Sequence, residues 1–230
     1  MGTPAPRAGG RGRRPPAARG IPAGVARAAR GDRPRPRPAL RPIVDQTPLG
    51  PPDLLEDIAP DLTRQSYASR PAIEGVVLGE TPVFRSPDGL FTETMRLREG
   101  GDVDGLGGFR PVQWNWSLLE PGAVKGWHLH LAQEDLWIVP PDASLLVGLV
   151  DLRRRSPTAG HVQRLTLGGG HCHRLFIPRG VGHGVANLTS RPQAMLYAVN
   201  RFFTPDPAGT DEWRLPWDRF GADFWSMGRG

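Results

Sequence analysis

From residue 73 onward the chain is cut into short apolar, β-branched runs by proline and glycine turn signals. Runs of this kind are expected at 76–78, 83–84, 90–96, 112–119, 137–139, 144–149, 162–167, 174–177 and 194–199. Ser86-Pro87-Asp88-Gly89, Pro140-Pro141, Ser156-Pro157 and the three glycines at 168–170 punctuate them. Strands so short bury their apolar faces only by stacking into a sandwich or barrel, so the fold class expected is all-β. The 30 glycines and 26 prolines agree with a turn-rich architecture. Run 112–119 alternates, with Trp114 and Trp116 on one face and Gln113, Asn115 and Ser117 on the other. Trp114, Trp116, Trp127 and Trp137 are expected in the core.

The net charge of +6 belongs to one end. Residues 1–42 hold 11 arginines and one acid, Asp32, whereas the remainder sums to −4. A Pro/Arg/Ala/Gly segment without periodicity buries too little apolar surface to offset its ordering entropy, so 1–42 is expected to be a disordered basic tail. Contact with nucleic acid is expected only through it. Residues 43–72 read as an N-terminal arm, with one helix over 54–59 capped by Asp53 and stopped by Pro60. Residues 73–230 form the domain. No apolar run approaches the roughly 18 residues of a membrane span, and no apolar segment of a signal peptide follows the basic start. Cys172 is the only cysteine and reads as a buried, inert thiol. These features predict a cytoplasmic protein without membrane contact.

The chemistry concentrates in residues 122–141, GAVKGWHLHLAQEDLWIVPP. His128 and His130, at i and i+2 on a strand, share a face. Glu134 follows, and His183 comes from PRGVGHGVAN at 178–187, read as a glycine-rich turn. His128, His130, Glu134 and His183 make a three-His, one-Glu set suited to one transition metal: Fe, Zn, Mn, Ni or Cu. Equally, His128 can act without metal as a general base, since a neutral imidazole is poised near pH 7. The two readings exclude each other at His128. The bland readings are a structural His130, a solvated Glu134 and a Tyr197 that only fills the core.

Residues 122–134 fit the cupin pattern G-x5-HxH-x3-E, with Pro141 where the closing glycine usually stands, and 178–187 fit P-x-G-x2-H-x3-N. Cupins are double-stranded β-helices, or jelly rolls. More specifically, residues 75–225 resemble the dTDP-4-dehydrorhamnose 3,5-epimerase family. QWNWS at 113–117 is similar to its QxNxS, KGWH at 125–128 to RGLH, and DLRRRSPTAG at 151–160 to DLRxxSPTxG. LFIPRGVGHGV at 175–185 is similar to LWIPEGFAHGF, MLYAVNRFFTP at 195–205 to FLYKxTxYYxP, and DGLFTE at 88–93 to RGFFxE. The resemblance implies epimerisation beside the 4-keto group of a nucleotide-linked 6-deoxysugar, without a cofactor, by a homodimer. It makes His128 the base and Tyr197 the acid, with His183 supporting the site. Glu93, Gln113, Asn115 and Lys125, the only lysine, would bind the substrate. The family's enolate-steadying lysine falls at Asp135, its phosphate-binding arginine at Asp88, and its base-orienting C-terminal aspartate is expected to lie in a segment absent here. The alternatives are a metal-dependent cupin enzyme, either an oxygenase or an isomerase, and a non-catalytic sugar-binding cupin.

Overall fold

The computed structural model describes residues 47–65 and 72–227; the tail expected over 1–42 lies outside them. The chain divides into two compact units, Met1–Gln65 and Ser66–Gly230. In the first, residues 47–65 form two short 3-10 turns, Pro51–Asp53 and Ala59–Asp61. The helix expected over 54–59 does not form. The Asp53 carboxylate accepts from the Gly50 N–H behind it (2.7 Å) instead of capping a helix ahead. Pro60 sits inside the second turn, where its missing N–H costs nothing.

Among its described residues the second unit carries twelve strands: β1 Val77–Thr81, β2 Val83–Ser86, β3 Gly89–Thr92, β4 Gln113–Leu119, β5 Val124–Leu129, β6 Asp135–Val139, β7 Ser144–Asp151, β8 Val162–Gly168, β9 Cys172–Ile177, β10 Val181–Ala186, β11 Gln193–Val199 and β12 Trp213–Arg214. One antiparallel five-stranded sheet runs β1-β9-β6-β11-β4 and a second runs β12-β5-β10-β7-β8, while β2 and β3 form a separate hairpin at the predicted 86–89 turn. Two facing antiparallel sheets are the cupin jelly roll. No helix among the described residues is long and apolar enough to cross a membrane.

Between the sheets, Leu119, Val139, Leu175, Ile177 and Met195 from the first meet Leu145, Val147, Leu149 and Leu167 from the second. Each such side chain contributes about 1.5–3 kcal/mol on burial. A second core lies on the outer face of the second sheet, where Phe224 and Trp225 pack on Trp127, Leu146, Val150 and Ala186. This second layer explains why β7 reads as an unbroken apolar run: both of its faces are covered. The glycine-rich 99–108 loop covers the outer face of the first sheet, burying Val103 and Phe109 beside Leu136 and Ala198. The DLRRRSPTAG segment is the local salt-bridge turn expected of it. Buried Asp151 accepts from Arg153 Nε and Nη2, Ser156 Oγ and Thr158 Oγ1. Burial opposes its charge, but these donors outweigh that and hold the carboxyl well below the usual range. Cys172 is buried, as expected.

Two expectations fail for packing reasons. Trp114 and Trp116 are 58% and 66% exposed, not core. They sit on the outward face of β4, an edge strand, whose inward face carries Gln113, Asn115 and Ser117. Trp127 and Trp137 are buried. His183 is not in a turn but on β10, a central strand. The glycines around it mark close approach: a Cβ on Gly184 would lie 2.8 Å from the Trp225 ring and 3.0 Å from Gly126 Cα.

Candidate active site

Register explains which side chains meet. In the second sheet His128 on β5 lies opposite His183 on β10 and Arg214 on β12, so all three project from the same face. A bulge between His183 and Val185 shifts the β5–β10 register, so that Lys125, His128 and His130 all line one cavity despite their uneven spacing. In the first sheet Tyr197 pairs with Asn115 and Trp137, and Val199 pairs with Gln113 and Asp135. That places Gln113, Asn115, Asp135, Trp137 and Tyr197 on one inner face, across from the histidines. The cavity between them has a volume of about 790 Å³. A second, of about 620 Å³, holds Gln113, Asn115 and Arg201 and shares Gln133, Tyr197 and Glu212 with the first.

At the centre, His128 Nδ1 lies 3.1 Å from Glu212 Oε2. That bond is the main cause holding the Glu212 carboxyl below its usual range, so Glu212 is anionic and only accepts. In the neutral imidazole the ring proton therefore sits on Nδ1, and Nε2 is the nitrogen with the lone pair. Burial, with the carboxylates of Asp135 and Glu212, raises the Tyr197 phenol, so it holds its proton at neutral pH. Lys125 on β5 donates to Ser117 Oγ on β4 at 2.8 Å, across the cavity, and Arg214 is a second cation lining it.

His130, Asp135 and His183 form a separate group beneath. His183 and Asp135 are each 3% exposed. His130 Nδ1 donates to the Asp211 carbonyl (2.8 Å) and His183 Nδ1 donates to the Val181 carbonyl (3.1 Å). Burial pushes the His183 imidazole down to about 4, so it is neutral near pH 7. Asp135 accepts from Trp137 Nε1 (3.1 Å) and from the Gln133 amide (2.9 Å), which also lies 3.2 Å from His130 Nε2.

The expected three-His, one-Glu set is not assembled. Glu134 and Asp135 are neighbours and project to opposite faces, and it is Asp135 that enters the cavity. Glu134 is held outside by Asn200, which accepts from its N–H and donates to its carboxylate. His128 is turned to Glu212, away from the other two rings' shared focus. Glu93 pairs with Arg96 at 2.7 Å and lines neither cavity. Gln113 and Asn115 line the second cavity, and His128, His183, Tyr197 and Lys125 line the first.

Sequence reasoning missed Asp211, Glu212 and Arg214. The Asp211 carboxylate accepts from the N–H groups of Leu131, Ala132 and Gln133 at 3.1, 2.8 and 2.7 Å. It clips the 206–212 segment onto the turn after β5 and so delivers Glu212 to His128. A carboxylate beside His128, expected to have no counterpart, is present as Glu212. The only signal was a pair of acids in a segment that looked like loop.

SpsL, the spore coat polysaccharide biosynthesis protein of Bacillus subtilis, is 34% identical over 146 residues, covering 64% of this chain and 91% of that protein. The dTDP-4-dehydrorhamnose 3,5-epimerase of Pseudomonas aeruginosa is 29% identical, covering 65% and 82%. Among solved structures, dTDP-6-deoxy-D-glucose-3,5-epimerase of Legionella pneumophila, in complex with dTDP-4-keto-L-rhamnose, matches with TM-score 0.57 and 25% identity over 68% of this chain and 81% of that one. NovW, a 4-keto-6-deoxy sugar epimerase from Streptomyces spheroides, matches with TM-score 0.57 and 25% identity over 73% and 83%. The model of one family spans residues 70–218, and the chain belongs to that family, the dTDP-4-dehydrorhamnose 3,5-epimerases.

Proposed function

We propose that this protein inverts a carbon next to the C4 ketone of a nucleotide-linked 6-deoxysugar, with His128 as base and Tyr197 as acid. The observation that carries the reading is the His128–Glu212 bond, which in the neutral ring makes Nε2 the proton acceptor, in a cavity whose opposite wall carries a protonated tyrosine. His128 Nε2 takes the proton at C3 or C5, and the electron pair moves into the ketone as an enolate. The ketone is the electron sink, so the reaction needs no cofactor. Tyr197 then returns a proton to the other face, which requires base and acid on opposite walls. His183 sits behind His128 in the same register row. Lys125, Arg214 and Arg201 supply cations for a diphosphate, and Gln113 and Asn115 supply amides for the sugar and base. Substrates of this class are those named for the Legionella and Streptomyces relatives.

The test follows solvent deuterium into C3 and C5 of a dTDP-4-keto-6-deoxyglucose probe. Wild type is expected to wash in deuterium and invert. In Tyr197→Phe, wash-in from the His128 face is expected to stay within about tenfold, while inversion falls about 10²–10⁴-fold. No wash-in by wild type would favour the sugar-binding alternative. Loss of both signals in Tyr197→Phe would remove tyrosine as the opposite-face acid.

The protein is further read as a homodimer. Trp114, Trp116 and Leu118 form an exposed apolar stripe on the edge strand β4, a surface suited to a second copy. Light scattering is expected to give twice the chain mass, and Trp116→Glu to give the monomer. A monomeric wild type at micromolar concentration contradicts this reading.

A further inference from the structure

We propose that His130, Asp135 and His183 form a binding site for one divalent transition metal, with Gln133 as a fourth donor. The binding claim rests on the donors alone; only its catalytic consequence rests on the epimerase reading.

The three groups point lone pairs at one another. Because both Nδ1 atoms are committed as donors to backbone carbonyls, each neutral ring carries its lone pair on Nε2. His130 Nε2 is 3.9 Å from Asp135 Oδ1 and His183 Nε2 is 3.8 Å from Asp135 Oδ2, too far for hydrogen bonds. All three ligand atoms lie within 4.8 Å of one another. Three acceptors converge in a buried pocket where the Gln133 amide reaches only His130 and Asp135, leaving a focus of negative potential that a cation relieves. Metal–ligand bonds of about 2.0–2.2 Å put neighbouring donor atoms roughly 3–3.5 Å apart, so atoms now within 4.8 Å of one another need to close by at most about 1.3 Å to reach the wider spacing.

The surroundings match what metal sites require. A ligating imidazole has its other nitrogen fixed by a carbonyl or carboxylate, which sets tautomer and orientation. Asp135 is likewise oriented by Trp137 Nε1. The Gln133 amide now bridges His130 Nε2 and Asp135 Oδ1 at 3.2 and 2.9 Å, spacings suited to a donor set. Rotating that amide by half a turn presents Oε1 in place of Nε2. Two imidazoles, a carboxylate and an amide oxygen favour Zn, Fe, Mn, Co or Ni over Ca or Mg.

This donor set does not include His128. The metal and base roles, which exclude each other when His128 is a ligand, are therefore compatible here. A cation at this point would offset the Asp135 charge where the substrate ketone becomes an oxyanion.

The full-length protein, stripped with chelator, is titrated with Co²⁺ and followed by visible absorption and elemental analysis. The expected result is one Co²⁺ per chain with d–d bands of a nitrogen/oxygen site, displaced by Zn²⁺. Asp135→Asn and His183→Ala are expected to weaken binding at least 100-fold, and Glu134→Gln to leave it unchanged. Folding of each variant is checked by circular dichroism, and Co²⁺ is expected to raise the Tm of wild type but not of Asp135→Asn. No stoichiometric binding by wild type, or equal binding by Asp135→Asn, overturns the site. Deuterium wash-in by the metal-free protein is measured separately: its presence keeps the epimerase reading even if no metal binds.

Discussion

Replacing His128 by alanine is expected to lower deuterium wash-in at C3 and C5 by about 10³-fold or more, with dTDP affinity kept within a few fold. General-base catalysis supplies about 10²–10⁴-fold, and no other side chain in the cavity combines a free nitrogen lone pair with an orienting carboxylate. His130 Nε2 is bridged by the Gln133 amide, and His183 Nε2 faces Asp135. The nucleotide contacts proposed for Gln113, Asn115 and Arg201 lie in the neighbouring cavity, so affinity should survive. Glu212→Gln is the sharper companion. Its amide can present an N–H to His128 Nδ1, which moves the ring proton to Nε2 and blocks the base without opening a cavity. An asparagine in the orienting position of a Ser-His-Asp triad costs about 10⁴ for the same reason. Wash-in that persists unchanged in His128→Ala, measured by mass spectrometry of recovered sugar nucleotide, would assign the base elsewhere.

The jelly roll was legible because its signals are local. Turn chemistry at 86–89, 140–141 and 168–170 and the alternation of 112–119 each need only a few neighbouring residues. The same locality brought His128, His183, Tyr197, Gln113 and Asn115 to the cleft walls by motif. What could not be read depends on contacts distant in sequence. Glu212 reaches His128 across 84 residues, guided by Asp211 hydrogen bonds to backbone N–H groups that carry no sequence signature. Glu134 and Asp135 differ by one step of the pleat, so a pattern spaced to Glu134 selected the wrong face. Trp114 and Trp116 looked like core because hydrophobicity does not reveal that β4 is an edge strand. His183 looked like turn because Gly182 and Gly184 are there for Leu152, Val150 and Trp225 to approach, not for a bend.

Trp127→Ala is expected to cost about 3–5 kcal/mol of stability, the largest loss predicted for a single side chain here. Trp127 is fully buried, and its ring lies 5.0, 4.9 and 4.8 Å from the centroids of Phe220, Phe224 and Trp225. Its Nε1 donates to the Trp217 carbonyl at 3.2 Å. Alanine removes the hub of the outer layer and leaves a void that Gly148, already in contact range of these rings, cannot fill. Total stabilities run about 5–15 kcal/mol, so the variant should be marginal at 37 °C. The effect should also reach the active site. The chain that this layer anchors contains β12, whose Arg214 pairs with His128, and the adjacent Glu212. A loosened segment orients the base less well, so kcat should fall at temperatures where the domain remains folded. Trp127→Phe keeps most of the ring contacts and is expected to lose only about 1–2 kcal/mol. Urea unfolding followed by circular dichroism measures the stability. A loss under 1 kcal/mol in Trp127→Ala would mean that the 213–225 segment is held by its backbone bonds to β5 alone, and that the aromatic layer is dispensable to the cleft.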